Sequence, residues 1–194
     1  MVASFPECRQ EGCVEYAVYR RPCCAAHCED RAAYEAEVTE LLRTTPRLEG
    51  LNLAHVPCRD LDLRDRELVG CRFTGAAWQN VRLDGSRLHH TLLDFATLRG
   101  CSLRGITATL SVFAGATIAA SHFGDSDLPR NNFVGLRCAD TSFRGSDLSS
   151  CRFIGARLER VDFQDCNLYH VHFETALMEG INLRYCNTEE AHFS

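Results

Sequence analysis

The residues with the clearest chemical potential lie near the start of the chain, where cysteines and a histidine cluster. The cluster comprises Cys8, Cys13, Cys23, Cys24, His27 and Cys28. Four of these follow the spacing Cys8-x4-Cys13-x10-Cys24-x2-His27. Three thiolates and one imidazole complete the tetrahedral coordination of zinc and leave no position open for water. The spacing therefore predicts a structural zinc ion rather than a hydrolytic one.

The choice of ligands has an alternative within the same segment. Cys23 or Cys28 could replace one of the four, because Cys23-x4-Cys28 repeats the spacing of Cys8-x4-Cys13. A reduced segment without metal is the other interpretation. Residues 1–28 are too short for a core of their own, so a bound metal would supply folding energy. We expect this segment, which is similar to the zinc knuckles that precede other bacterial domains, to hold an N-terminal cap. Binding of a partner protein is the alternative role for this segment.

The chain behind this segment is dominated by a five-residue repeat. From residue 46 an apolar residue, in most units a large one, recurs every five positions, beginning at Leu48 and Leu53 and interrupted only at Thr188 before Phe193. A second column of mostly small residues lies two positions earlier. A period of five fits neither a helix nor a flat strand. It requires a backbone that turns a corner every five residues, and glycines such as Gly75, two positions after the large residue, suit those turns.

The individual units indicate a known family. Ser146-Asp147-Leu148-Ser149-Ser150 and Cys166-Asn167-Leu168-Tyr169-His170 resemble pentapeptide repeats, and the resemblance covers residues 46–194. It implies an all-β solenoid, a right-handed quadrilateral β-helix with four units per coil and about seven coils. Coils stacked at strand spacing would give a rod on the order of 35 Å long. Residues twenty apart, such as Phe113 and Phe133, should then stack in inward ladders that leave no cavity for a substrate.

Both ends of such a rod expose strand edges that must be covered. Residues 29–45 predict a helix that caps the first coil, because Pro46 ends the pattern and one face carries Tyr34, Val38, Leu41 and Leu42. At the other end we expect a homodimer that pairs through the C-terminal coil, with the same surface contributed by both copies. The alternative is a monomer whose last edge is protected by Glu189 and Glu190.

Composition excludes several functional classes. The chain has 194 residues and a formal net charge of -5, which argues against direct nucleic-acid binding. It contains no apolar stretch long enough for a membrane helix and no N-terminal apolar signal core, so we expect a cytoplasmic protein. Twelve cysteines in such a chain indicate metal ligands and buried thiols rather than disulfides. No catalytic motif is present, and the acidic pairs would lie on a convex rod, so we expect no enzymatic activity.

Two surfaces of the predicted rod are candidates for partner binding. An apolar wall would consist of Leu92, Val112, Ala114, Val134 and Ile154 on successive coils. Adjacent exposed apolar residues mark interaction sites, although ordinary cross-strand packing is an equal alternative. The second surface is acidic and would include Asp125, Asp127, Asp147, Asp162 and Asp165. His172 and His192 should stack on one wall, where the preferred interpretation is a pair of surface histidines rather than a metal site.

The resemblance bears on function as well as fold. The best-understood members of the family resemble a DNA duplex in size, shape and charge, and they bind type II topoisomerases such as DNA gyrase or topoisomerase IV. By doing so they protect those enzymes from poisons such as quinolones, which gives antibiotic resistance. This chain is only modestly acidic, lacks an inserted loop and adds a metal cap. A protein-interaction scaffold with an unrelated client, docking through the apolar wall or the zinc knuckle, is therefore the alternative.

Overall fold

The computed structural model describes residues 5–194 and shows a parallel β-solenoid of about seven coils preceded by one helix. A short 3-10 helix, Ala25–His27, comes before helix α1, Arg31–Thr44. The strands are β1 (Arg47–Glu49), β2 (Pro57–Arg59), β3 (Glu67–Val69), β4 (Ala77–Gln79), β5 (Thr97–Arg99), β6 (Thr117–Ala119), β7 (Arg137–Ala139), β8 (Arg157–Glu159) and β9 (Leu177–Glu179). Within the described residues, no helix has the length and apolar character needed to cross a bilayer.

Each coil takes twenty residues and has four faces. Strand partners are parallel and twenty residues apart, as in Trp78 with Leu98. In chain order, face 1 contains β1 and β3, face 2 follows it and includes Phe73, face 3 contains β2 and β4–β9, and face 4 includes Leu63. The residue two positions after each inward large residue turns the corner, commonly at positive φ, as in Gly145 at 72°. The predicted period of five therefore corresponds to one face and one corner.

The interior is filled by stacked side chains, as the column predicts. On face 2 the rings of Phe113 and Phe133 stack with centroids 5.0 Å apart, and those of Phe133 and Phe153 with centroids 4.6 Å apart. A second ladder on face 4 meets the first edge to face, with Phe143 6.2 Å from Phe133. These aromatic arrangements are the favoured ones and stabilise each coil against the next.

The small column does more than fill space. The Ser146 hydroxyl donates to the carbonyl of Phe123 at 2.7 Å, and the Cys151 thiol lies 2.9 Å from the carbonyl of Leu128. Both acceptors lie twenty-three residues earlier, on the preceding coil. Buried polar groups require such partners. The sequence identified these positions as small buried residues, and the structure adds that they link successive coils.

Helix α1 covers the first coil, while the last coil is open. Tyr34, Val38 and Leu42 are buried in the common core. Arg31 donates to the carbonyl of His55 at 2.9 Å, and the helix begins after Asp30, whose side chain accepts from the amide of Ala33. At the other end the apolar residues remain partly accessible. Among them Leu177 is 64% exposed and Tyr185 is 82% exposed.

Candidate metal centre and binding surfaces

Two local structures bring the predicted metal ligands together. Residues 7–16 form a small antiparallel loop, in which Glu7 pairs with Tyr16 and the amide of Cys13 donates to the carbonyl of Gln10 at 3.1 Å. The 3-10 helix then presents the side chains of Cys24 and His27 towards this loop. Gly12 supports the tight turn at a φ of 75°. Each structure contributes two ligands, which is how a short segment can form a closed site.

The four predicted ligand atoms lie within 4.8 Å of one another. The Sγ atoms of Cys13 and Cys24 are 3.9 Å apart, and Nδ1 of His27 lies 3.5 Å from Sγ of Cys8 and 3.3 Å from Sγ of Cys24. Tetrahedral zinc with its usual bond lengths requires about 3.8 Å between sulfurs and about 3.6 Å between sulfur and nitrogen. The group could therefore hold a metal ion with little rearrangement.

The electrostatics of the thiols also fit a cation. Burial raises the pKa of Cys8, but the backbone amides of Cys24 and Gln10 lower it, and the pKa falls to about 6. The backbone amide of Glu15 lowers the pKa of Cys13, but burial and the neighbouring thiols raise it by more. One thiolate forms readily while further thiolates repel it, and a divalent cation would remove that repulsion.

Cys23 and Cys28 lie outside the four-ligand group. They line an adjacent surface hollow together with Arg21 and Asp30. The thiol of Cys28 lies 3.7 Å from the carbonyl of Asp30. The burial of Cys23 and the proximity of Cys28 raise the pKa of the Cys23 thiol. The geometry thus favours the first of the two ligand sets.

The cysteine-rich N-terminal segment is attached to the start of face 2. The amide of Tyr19 donates to the carbonyl of Asn52 at 2.8 Å, and the side-chain amide of Asn52 donates to the carbonyl of Ala17 at 2.8 Å. The guanidinium of Arg72 lies over the ring of Tyr16, 5.1 Å from its centroid. The segment therefore covers the first part of this face and leaves the rest accessible.

Four of the five predicted acidic residues converge on one edge of the rod. This acidic edge consists of Asp125, Asp127, Asp147 and Asp165, and it lies between face 4 and face 1. Asp125 and Asp165 occupy corners at φ values of 57° and 61°. Asp127 and Asp147 are direct strand partners at the adjoining start of face 1. Since coils stack at roughly 4.8 Å, the four carboxylates span about 10 Å along the rod.

One arginine contacts the acidic edge, and one predicted acid does not belong to it. Arg144 lies 3.2 Å from a carboxylate oxygen of Asp165. Its positive charge offsets one of the four negative charges, so three net negative charges remain on the edge. Asp162 lies on face 4 instead, where it accepts from the side-chain amide of Asn182 at 2.8 Å. The sequence analysis grouped Asp162 with the other acids because all five lie in the C-terminal half of the chain, without separating corner positions from positions within a face.

The predicted apolar wall lies on face 2, beyond the attached segment. Leu92 and Val112 are strand partners on one side of the inward column. Val134 and Ile154 lie on the other side of that column, on the next two coils. All four are half-buried, so each presents only part of its surface to solvent.

Two further apolar residues extend this wall, and sequence reasoning missed both. Phe95 is 70% exposed at the corner after face 2, and its ring lies over Gly115. Leu110 is 52% exposed at the corner before face 2. Both residues have a φ of 56°, a conformation that costs a non-glycine residue about 1–2 kcal/mol. An apolar residue at a corner position was the available sequence signal. We use the name apolar face for the surface formed by Leu92, Phe95, Leu110, Val112, Ala114, Val134 and Ile154.

A solenoid built from five-residue units with four faces per coil defines the class of repeat protein. The family model for pentapeptide repeats matches the chain in 8 copies over residues 67–105 and 141–180. Over the matched residues its repeats are those of the pentapeptide-repeat family. No curated protein sequence matches it.

Several solved structures have a similar fold at low identity. QnrB1, a plasmid-mediated fluoroquinolone resistance protein, is 18% identical with a TM-score of 0.41, and the match covers 70% of this chain and 83% of QnrB1. Rfr23, a pentapeptide-repeat protein from the cyanobacterium Cyanothece 51142, is 14% identical with a TM-score of 0.32, covering 82% of this chain and 99% of Rfr23. At these values the similarity concerns the fold and carries no functional argument.

Proposed function

We propose that this protein is a non-enzymatic binding rod whose client is a type II topoisomerase, DNA gyrase or topoisomerase IV. The acidic edge would occupy part of the surface that the enzyme uses for DNA, and so protect it from poisons such as quinolones. The observation that carries the proposal is the convergence of Asp125, Asp127, Asp147 and Asp165 on one edge. The known behaviour of the family, implied by the resemblance of the repeats, supplies the class of client.

The charge density of the acidic edge supports a local mimic of one DNA strand. A strand carries one phosphate per 3.4 Å, so about three phosphates fall within the roughly 10 Å of this edge. The edge has four carboxylates and the one contacting arginine, Arg144, which leaves three net negative charges. The rest of the rod is closer to neutral, because residues 46–194 contain 16 arginines and 18 acidic residues. Binding should therefore depend on this edge rather than on the whole rod.

The test is a supercoiling and cleavage assay with purified gyrase, with and without a quinolone. The chain should restore supercoiling in the presence of the drug. A variant with Asp125→Asn, Asp127→Asn and Asp147→Asn should lose most of that effect. The matched control removes the same number of charges from face 3 and the corner that follows it, through Asp60→Asn, Asp140→Asn and Glu179→Gln, and should retain the effect. Equal loss in both variants, or no effect of the native chain at stoichiometric excess, would reject the proposal.

The apolar face favours a second candidate function, a scaffold for an unrelated protein client. The large ring of Phe95 is exposed to solvent, and its backbone has a positive φ that is unfavourable for a phenylalanine. A purely structural role requires neither feature. The acidic edge and the Phe95 corner lie on diagonally opposite edges of the rod, so substitutions separate the two functions. For a scaffold, Phe95→Asn should abolish client binding while the acidic-edge variant leaves it intact, and gyrase should be unaffected by either.

We propose zinc as the metal of the Cys8, Cys13, Cys24 and His27 group, with a structural role. It would hold the N-terminal segment, residues 1–28, of which the structure describes 5–28, against face 2 and helix α1. Residues 29–45 would then cap the solenoid, which comprises residues 46–194. The distances among the four ligand atoms support this choice. All twelve cysteines are free, which suits a reducing compartment and our assignment to the cytoplasm. Elemental analysis should find one zinc per chain, and its absence from protein purified without chelators would contradict the assignment.

We also propose that two copies pair through the open C-terminal coil. The partly exposed Leu177, Met178 and Phe193 support this, since an isologous contact would cover them in both copies. Sedimentation should give a dimer, and Phe193→Glu should convert it to a monomer. A native chain that sediments as a monomer at high micromolar concentration would favour the edge-protected alternative.

A further inference from the structure

A cluster of three histidines lies at the open end of face 2 and takes no part in the proposed function. His172 and His192 are strand partners whose rings stack with centroids 4.8 Å apart. His170, at the corner before them, has its ring 5.2 Å from that of His172 and 5.6 Å from that of His192. The three rings therefore form a nearly equilateral triangle at the surface.

The spacing of this triangle matches three imidazoles around one metal ion. With metal–nitrogen bonds of about 2.0–2.1 Å and tetrahedral angles, the ring centroids of three ligands lie roughly 5 Å apart. In the structure the rings of His172 and His192 are nearly parallel, at 10°. A bound ion would require these two rings to turn from their parallel arrangement so that their Nε2 atoms face a common point.

A carboxylate beside the cluster orients one of the rings as metal sites require. Glu174 accepts from Nδ1 of His172 at 2.8 Å, because a carboxylate can only accept. Nδ1 of His170 lies 3.6 Å from a carboxylate oxygen of Glu190. Metal-bound histidines commonly donate their second nitrogen to a carboxylate, which leaves Nε2 for the ion. In this cluster Nδ1 of His172 is engaged in this way, which leaves its Nε2 as the ligand atom, whereas Nδ1 of His170 is buried without a hydrogen-bond partner.

We propose that His170, His172 and His192 form a second metal site, for a divalent transition-metal ion of the class that prefers imidazole, such as Zn²⁺ or Ni²⁺. Glu174 is a positioning residue of this site. Because His192 belongs to the last coil and His172 to the one before it, the ion would link the two. The site differs from the cysteine group in ligand type and lies at the opposite end of the rod.

The experiment uses the untagged full chain with zinc already bound at the cysteine group, titrated with Ni²⁺ by calorimetry. We expect one further equivalent of metal per chain and paramagnetic broadening of the ring protons of the three histidines. The double variant His172→Asn, His192→Asn should weaken binding more than about 100-fold, and Glu174→Gln about 10- to 100-fold. The control His122→Asn, an exposed histidine on face 4, should bind as the native chain does.

A second readout reports the link between the last two coils. The amide of His192 donates to the carbonyl of Val171 at 2.8 Å, so its hydrogen exchange measures whether the last coil is closed. Metal should slow this exchange at least tenfold in the native chain and not in the double variant. Absence of the further equivalent, or its persistence in the double variant, would overturn the proposal. Binding without slower exchange would overturn the link between the coils.

Discussion

Replacing Phe95 with asparagine should barely change stability, although the residue is a phenylalanine in a solenoid built from phenylalanines. Its ring is 70% exposed and contacts the backbone at Gly115. A fully buried phenylalanine removes about 200 Å² from water, so roughly a third of that is at stake here. At about 25 cal/mol per Å², the loss is about 1.5 kcal/mol.

A gain in backbone energy offsets most of that loss. Phe95 has a φ of 56°, which costs a residue with a bulky side chain about 1–2 kcal/mol. Asparagine tolerates this conformation better. Asn80 adopts it at the corner after face 3, with a φ of 53°. The net change in the free energy of unfolding should therefore be a destabilisation of about 0.5 kcal/mol or less.

The comparison variant is Phe133→Ala, in the middle of the inward ladder. Phe133 is fully buried and stacks on both Phe113 and Phe153. Its loss should cost about 3–5 kcal/mol through lost transfer energy and the cavity left behind. Both variants would be measured by urea denaturation at one temperature. A cost above about 2 kcal/mol for Phe95→Asn, or equal costs for the two, would refute the claim that Phe95 is placed for binding rather than for packing.

Further predictions concern the metal centre, the thiols and the aromatic ladder. Cys24→Ser should remove one equivalent of zinc and expose residues 5–28 to limited proteolysis while the strands of the solenoid keep their hydrogen-exchange protection. Proteolysis that is unchanged would show that zinc does not hold the segment. Burial raises the pKa of the Cys151 thiol to about 12, so it should resist alkylation at pH 8 until the chain unfolds. The folded state holds this thiol proton more tightly than the unfolded state does. The thiol therefore contributes to the free energy of unfolding less and less as pH rises from about 9 to about 12. Rapid labelling of native Cys151 would contradict its burial. In the monomer, Phe193→Ala should cost far less than Phe133→Ala, because within one chain Phe193 stacks on Phe173 alone and is 43% exposed. Equal costs measured at concentrations where the chain is monomeric would contradict that exposure.

The solenoid could be predicted from sequence because its pattern admits one solution. Only a corner at every fifth residue puts the column from Leu48 to Phe173 inside, and the stacked rings of Phe113, Phe133 and Phe153 follow from that register. The ligand set Cys8, Cys13, Cys24 and His27 was likewise accessible, because tetrahedral coordination restricts both residue type and spacing.

The surface was less predictable, because it depends on which face each unit occupies. Asp162 and Asp165 are close in sequence, yet only Asp165 reaches the acidic edge. His170 joins His172 and His192 because a corner residue is adjacent to the following face. Phe95 was missed because inward periodicity says nothing about a side chain at a corner. These features arise from closure of the coil, which no local pattern encodes.

The most direct test of the central claim is competition with DNA for gyrase. Fluorescence anisotropy would follow a labelled duplex bound to the enzyme while the chain is added at low and at high salt. We expect the native chain to displace the duplex, less effectively as salt rises, and the Asp125→Asn, Asp127→Asn, Asp147→Asn variant to fail. Binding of the chain to gyrase without displacement of DNA, or displacement by the variant as strong as by the native chain, would contradict the claim.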